Sequence, residues 1–354
     1  MKLKIGKKII SENSKTYFIA DIGANHDGSL SRAKKLIRLC AKSGADAAKF
    51  QHFKAHTIVS DYGFKKIGKI THQKNWSKSV FEVYKDASIN NKWTKILKKE
   101  CDKYKIDFMT SPYDLGYVDS VFKYIKAYKI GSGDITWKEI IIKIAKKKLP
   151  LILATGASTL KEVDSAVKLI LKYKKKFILM QCNTNYTNEM NNFKYLNLNV
   201  LKTFKEKFKD KIILGLSDHT QGNTAVLSAV SLGARVIEKH FTDDNKRKGP
   251  DHAFAMNPKT WEEMVVETRK LELALGDGIK IIEKNENQSS IVQRRCIRAT
   301  RNLPKNYKIK KNDLICLRPA PKNSISPFSI EKILNKLTKT SIDAGDYISW
   351  SKIK

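Results

Sequence analysis

The sequence predicts a closed parallel (β/α)8 barrel followed by a small second domain, and three observations carry that prediction. Eight short apolar or β-branched runs alternate with longer stretches of helical period. They fit within about 250 residues, the usual size of such a barrel. No G-x-G-x-x-G loop follows the first run, as an open dinucleotide-binding sheet would favour.

The first run, TYFIADIG (16–23), precedes Leu30, Ala33, Leu36, Ile37 and Cys40 at three- and four-residue spacing, which is a strand followed by an amphipathic helix. The remaining strand candidates are DAAKFQ (46–51), IDFMTS (106–111), AYKIGS (127–132), PLILATG (150–156), KFILMQC (176–182), IILGLSDH (212–219) and RVIEKHF (235–241). The helical stretch over 159–173 places Leu160, Val163, Val167, Ile170 and Leu171 on one face. Thr159 is its expected N-cap, with Glu162 three residues on.

The last barrel helix is expected to turn Trp261, Met264, Val265, Leu271 and Leu275 inward. The polar stretch GDGIKIIEKNENQSS then reads as a linker. From about Val292 the chain breaks into short segments punctuated by proline and turn residues (LPKN, LRPAPKN, ISPF, DAGDY). The expected boundaries are 1–279 for the barrel, 280–292 for the linker and 293–354 for the second domain. A domain of roughly 60 residues buries little surface alone, so docking on the barrel or on another subunit is expected.

Composition excludes several classes. The apolar runs are far shorter than the roughly 20 residues of a membrane span, and MKLKIGKKII lacks the apolar stretch of a secretory signal, so a cytoplasmic location is expected. Five cysteines, with no C-x-x-C pair, indicate neither a disulfide framework nor a zinc ribbon. The 69 basic and 35 acidic residues give a net charge of +34. The excess is lysine scattered along the whole chain, which reads as a diffuse surface and not as a nucleic-acid stripe.

Barrel enzymes place their chemistry at the C-terminal ends of the strands, and polar residues gather there. Strand one ends with Asp21, Asn25 and His26, strand two with Lys49 and Gln51, and strand three with Thr110 and Ser111. Strand four carries Lys129, Ser132 and Asp134, strand five Thr155, and strand six Asn183, Thr184 and Tyr186. Strand seven ends with Ser217, Asp218 and His219, and strand eight with Glu238, Lys239 and His240.

His219 and His240 end neighbouring strands and suit a divalent metal with open positions; the alternative is a pair of hydrogen-bonded structural histidines. Lys49 and Lys129 lie inside apolar strands, where an uncompensated ammonium is costly. A bound anion would compensate them, with Ser111, Ser132 and Ser217 as a cradle; the alternative is pairing with barrel carboxylates such as Asp21 or Asp134. Asp134 and Asp251 are carboxylates suited to bonding a polyol or moving a proton. His52, His56 and His72 read as surface or structural.

Six motifs resemble, in order and spacing, the sialic acid synthase family, which includes legionaminic and pseudaminic acid synthases. They are IGANHDG (22–28), AYKIGSGD (127–134), ILATG (152–156), GLSDHT (215–220), IEKHFTDD (237–244) and GPDHAFAMNP (249–258). The tail, with QRRCIRATRNL (293–303) and LRPAP (317–321), resembles the family's antifreeze-like domain of β-clip type. The resemblance implies a domain-swapped homodimer in which that domain lends Arg318 to the partner's barrel. It also implies a manganese-like ion on His219 and His240, with Mg2+ or Co2+ as alternatives. Lys49, Ser111, Lys129, Ser132, Thr184 and Ser217 would surround phosphoenolpyruvate; Gln51, Tyr186, Asp251 and Arg318 would face an acetamido sugar. Asp21, Asp134, Lys49 and Lys129 would carry the chemistry, a condensation that releases phosphate. N-acetylmannosamine giving N-acetylneuraminate is the leading expectation, and a diacetamido-deoxy hexose the second.

The chain departs from the family where Asp21 and Asp134 stand for glutamate, Ala154 for serine, Gln181 for histidine and Thr187 for proline. Sugar specificity is where these changes would act. A synthase acting on a phosphorylated aldose is disfavoured by the appended domain. An amidohydrolase is disfavoured because strand one offers only His26. A non-catalytic binder of nucleic acid or anionic glycans would leave the polar strand ends unexplained.

Overall fold

The computed structural model describes residues 2–354 other than 71, 72, 75 and 188; the structural reading of His72 therefore falls outside the described residues. The chain forms two compact units, Met1–Gly276 and Asp277–Lys354.

The first unit opens with a hairpin of β1 (Lys2–Ile5) and β2 (Lys8–Ser11). Gly6 turns it at φ +54°, a left-handed conformation that glycine adopts without steric cost. Eight parallel strands follow: β3 (Tyr17–Asp21), β4 (Ala47–His52), β5 (Asp107–Pro112), β6 (Tyr128–Ile130), β7 (Leu151–Ala154), β8 (Phe177–Cys182), β9 (Ile212–Asp218) and β10 (Val236–His240). They pair in sequence, and β10 closes onto β3. The (β/α)8 barrel expected from the sequence is the observed one, with strand limits displaced by one or two residues.

Alternation along each strand divides the core in two. Inside the barrel, Tyr17, Ile19, Ala47, Met109, Ile152, Ile178, Met180 and Val236 pack on Leu3, Ile5 and Ile10, so the hairpin plugs the lower end. The opposite faces, with Phe18, Phe50, Phe108, Leu153, Leu179 and Ile237, pack under the surrounding helices. Large apolar side chains thus fill the lower interior and leave the upper layer to polar ones.

The helices follow their caps. Leu160–Leu171 begins at Thr159, whose hydroxyl accepts from the Glu162 amide while Glu162 reaches back to Thr159. Its buried face is Val163, Ala166, Val167 and Ile170; Leu160, the first residue of the helix, is exposed. Pro258–Leu275 buries Trp261, Met264 and Thr268, while Leu275, its last residue, is exposed. None of the described helices is long and apolar enough to cross a membrane.

The second unit contains the helix Asn287–Val292 and an antiparallel pair, β11 (Cys296–Ala299) with β12 (Leu314–Leu317). Its own core is small and aliphatic: Ile297, Ala299, Leu303, Ile309, Ile325, Ile333, Ile342, Ile348 and Ile353. Arg318 lies exposed immediately after β12.

Candidate active site

The upper layer of the barrel holds four buried ionic groups in contact. Lys49 Nζ donates to Asp21 Oδ2 at 2.6 Å and lies 3.8 Å from Glu238 Oε2. Lys129 Nζ donates to Glu238 Oε1 at 2.8 Å, and the Ser217 hydroxyl donates to the same oxygen at 3.1 Å. Gln51 Nε2 reaches Asp21 Oδ2 at 3.3 Å. The lysines are therefore neutralised from within the barrel, and of the two carboxylates named from the sequence only Asp21 takes part. Asp134 pairs with no cation among the described residues, because it sits beyond the strand end in the 3-10 turn Ser132–Asp134.

Burial opposes ionisation of Asp21, Glu238 and Lys49, and the field of their neighbours outweighs it. The Asp21 carboxyl is held below its usual range, mainly by Lys49 and then His240. Glu238 is lowered in the same way by Lys129 and Lys49, and Lys49 is raised by Asp21 and Glu238. For Asp134 nothing offsets burial, which pushes its carboxyl up to about 6.

Beside this cluster stand the two histidines. Their ring centroids are 5.5 Å apart, and Phe254 packs edge-on against both. His219 Nδ1 bonds to the Asn183 carbonyl at 2.8 Å, which fixes the ring and leaves Nε2 for a ligand. His240 lies 3.7 Å from Asp21 Oδ2 and 3.6 Å from Asp251 Oδ2; its buried Nδ1 has no hydrogen-bond partner. Asp251 Oδ2 accepts from the Ala24 amide at 3.0 Å. Gly23, at φ +50°, lets that loop approach, since a Cβ there would lie 2.6 Å from Asp251 Oδ2. Tyr186 covers His219 at 4.3 Å between centroids.

A divalent ion fits this donor set. Among the described residues no group of three or more His, Cys, Asp and Glu side chains is arranged to hold a metal, so two imidazoles would be the protein ligands and water or substrate the others. Glu238 Oε2 and Ser111 Oγ are buried and make no hydrogen bond, so a ligand would satisfy them.

A third group continues the cradle. Ser132 Oγ accepts from the Gly156 amide at 2.9 Å. A Cβ on Gly156 would lie 2.5 Å from Thr184 Cγ2 and 3.1 Å from Cys182 Sγ, so only glycine admits this packing. The mouth above opens into a cavity of about 1210 Å3, lined among others by Ala24, Asp27, Trp76, Tyr186, Arg247 and Phe254.

The barrel thus brings together Asp21, Lys49, Gln51, Lys129, Ser217, His219, His240, Asp251 and Tyr186, with Ser132 and Thr184 adjoining and Ser111 paired in the ladder with Gln51. Arg318 belongs to the second unit. Gln181 points out of the barrel and donates to the Leu196 carbonyl at 2.9 Å, so its departure from the family pattern does not alter the interior. Glu238 is named from the sequence as a polar strand-end residue but given no role; its signal was the alternation in VIEKH, which turns Glu238 and His240 inward and Lys239 outward. His52 is structural, bonded to the Thr110 and Thr94 hydroxyls at 2.8 Å each, and His56 is exposed.

The chain is a parallel (β/α)8 barrel whose charged layer and paired imidazoles lie at the C-terminal ends of the strands, where barrel enzymes place their chemistry. The NeuB family model matches residues 36–280 and the SAF domain model residues 294–354. The chain belongs to the NeuB family. It is 36% identical over 338 residues to the N,N'-diacetyllegionaminic acid synthase of Campylobacter jejuni, covering 94% of this chain and 99% of that protein. Identity to the synthase of the same name from Legionella pneumophila is 35% over 347 residues, covering 96% and 94%. The solved N-acetylneuraminic acid synthetase of Leptospira borgpetersenii, in complex with citrate, superposes with a TM-score of 0.70 at 28% identity, covering 82% of this chain and 95% of that one.

Proposed function

We propose that this enzyme condenses phosphoenolpyruvate with an open-chain acetamido sugar and releases phosphate. The observation that carries the reading is the lysine pair bonded to Asp21 and Glu238, beside two imidazoles, at the C-terminal ends of the barrel strands. Lys49 and Lys129, with Ser111, Ser132, Thr184 and Ser217, would bind the phosphate and carboxylate of phosphoenolpyruvate by charge-assisted hydrogen bonds. Gln51, Tyr186 and Asp251 would orient the sugar below the cavity.

A divalent ion held by His219 and His240, with Mn2+ the leading choice, would polarise the sugar aldehyde as a Lewis acid. C3 of phosphoenolpyruvate forms the new bond to the aldehyde carbon, whose oxygen takes up a proton. Water then adds at C2, and the C2–O bond to phosphate breaks. Asp134, in the turn that follows β6, would take the proton from that water. Asp21, hydrogen-bonded to Lys49, would hold the lysine aimed at the anion.

The full-length likeness to two legionaminic acid synthases favours a diacetamido-deoxy hexose over the N-acetylmannosamine that leads in the sequence reading. Arg318 is proposed to serve the barrel of a second copy in a homodimer. Phosphate release from phosphoenolpyruvate, measured with Mn2+ over 2,4-diacetamido sugars, N-acetylmannosamine and arabinose 5-phosphate, tests the assignment. Release with a diacetamido sugar above the others supports it; preference for arabinose 5-phosphate would overturn it.

A further inference from the structure

On the outer face of the same two strand ends, directly behind the histidines, lies a second buried ion pair that the proposed chemistry does not use. Lys239 Nζ donates to Asp218 Oδ2 and, at 2.6 Å, to the Thr220 carbonyl. Both ionic side chains are essentially inaccessible, at 1% and 0% exposed. Asp218 in turn accepts from the Thr220 amide at 3.0 Å and from the Thr220 hydroxyl at 2.9 Å. The carboxylate thereby wraps the backbone around His219.

Register explains what this network constrains. Lys239 and Asp218 are ladder partners, and theirs is the last paired position between β9 and β10. His240 still lies in register with Asp21 of β3, whereas His219 is one residue past the end of β9 and receives no ladder bonds from β10. Its ring is held by the Asn183 carbonyl; its backbone is held by the turn at Asp218 and Thr220, which Lys239 ties to the neighbouring strand. A buried ion pair of this kind contributes little net stability compared with an apolar pair of similar volume, so stability alone does not account for it.

We propose that the Asp218–Lys239 pair is a positioning strut that fixes the separation of His219 and His240, and that Asp218, Thr220 and Lys239 are positioning residues for the metal site. The inference rests on the reading of the two histidines as metal ligands. Outer partners of metal-binding residues govern affinity by about 10- to 100-fold.

The test is Mn2+ affinity of the full-length protein, read by electron paramagnetic resonance of free Mn2+ without substrate, alongside the thermal midpoint. Two double variants are compared with wild type. Asp218→Leu with Lys239→Met replaces the pair by apolar volume, and Asp218→Asn with Lys239→Met keeps acceptors for Thr220 while removing both charges. The expected result is a folded barrel that binds Mn2+ about 10- to 100-fold more weakly. A lowered thermal midpoint with unchanged Mn2+ affinity would make the pair purely structural and overturn the inference alone. Absence of Mn2+ binding by wild type would overturn the metal reading, and the strut with it.

Discussion

Glu238 and Lys129 meet at 2.8 Å inside the barrel, although 109 residues separate them in the chain. Together with Asp21 and Lys49 they form a neutral set of two acids and two bases. Each lysine is therefore held in place by a carboxylate of the barrel itself. On the proposed reading, an entering phosphate or carboxylate would compete for ammonium groups already held by carboxylates.

Removing one member should expose that balance. Glu238→Gln leaves Lys129 without its carboxylate and is expected to destabilise the free protein by about 3 kcal/mol, the cost of an uncompensated buried charge. Phosphoenolpyruvate should then raise the thermal midpoint of the variant more than that of wild type. Thermal unfolding with and without phosphoenolpyruvate measures both, and an equal rise in the two proteins would contradict the balance described.

Lys129→Ala and His219→Ala are each expected to abolish turnover. For Lys129→Ala, loss of a charged partner to the substrate anion should lower kcat/KM for phosphoenolpyruvate by about 100-fold or more. Steady-state phosphate release reads this directly, and a fully active variant of either residue would remove it from the site.

Gly156→Ala tests the cradle by shape alone. The added Cβ would meet Thr184 and Cys182, and overpacking of this kind costs about 1–3 kcal/mol. A raised KM for phosphoenolpyruvate in a folded barrel is expected, since Thr184 and Ser132 must both shift. An unchanged KM would place the phosphoenolpyruvate cradle elsewhere.

Asp134 makes a prediction about pH. Its carboxyl is raised by burial from the ordinary 3.8 to about 6, so between those values the folded chain holds a proton that the unfolded chain has lost. Stability contributed by the neutral form is present at low pH and is lost as pH rises toward 6. Asp134→Asn should accordingly melt higher than wild type above pH 6, with the difference vanishing near pH 4, while its turnover falls. Thermal midpoints across pH 4–8 check the sign; a gain confined to acid pH would contradict it.

Much of the barrel was legible because its strands are buried on both faces and read as short apolar runs, broken by polar residues only where the strands end. The hairpin β1–β2 was not seen, since its lysines disguise the alternation of Leu3, Ile5 and Ile10. The site residues near strand ends could be named individually, and pairing of the lysines with Asp21 was one of two alternatives, but the part taken by Glu238 could not be read. Lys129 and Glu238 come together only when the sheet closes, and Glu238 alone looks like any strand glutamate. The same closure separates Lys239 from its neighbours His240 and Glu238, because alternation sends it to the outer face.

The most direct test of the proposed condensation uses phosphoenolpyruvate carrying 18O at the bridging C2–O position, incubated with the enzyme, Mn2+ and a 2,4-diacetamido sugar. C–O cleavage predicts the label in inorganic phosphate, and only when the sugar is present. Label retained in pyruvate, or phosphate released at the same rate without sugar, would mean that the barrel hydrolyses phosphoenolpyruvate and would contradict the condensation.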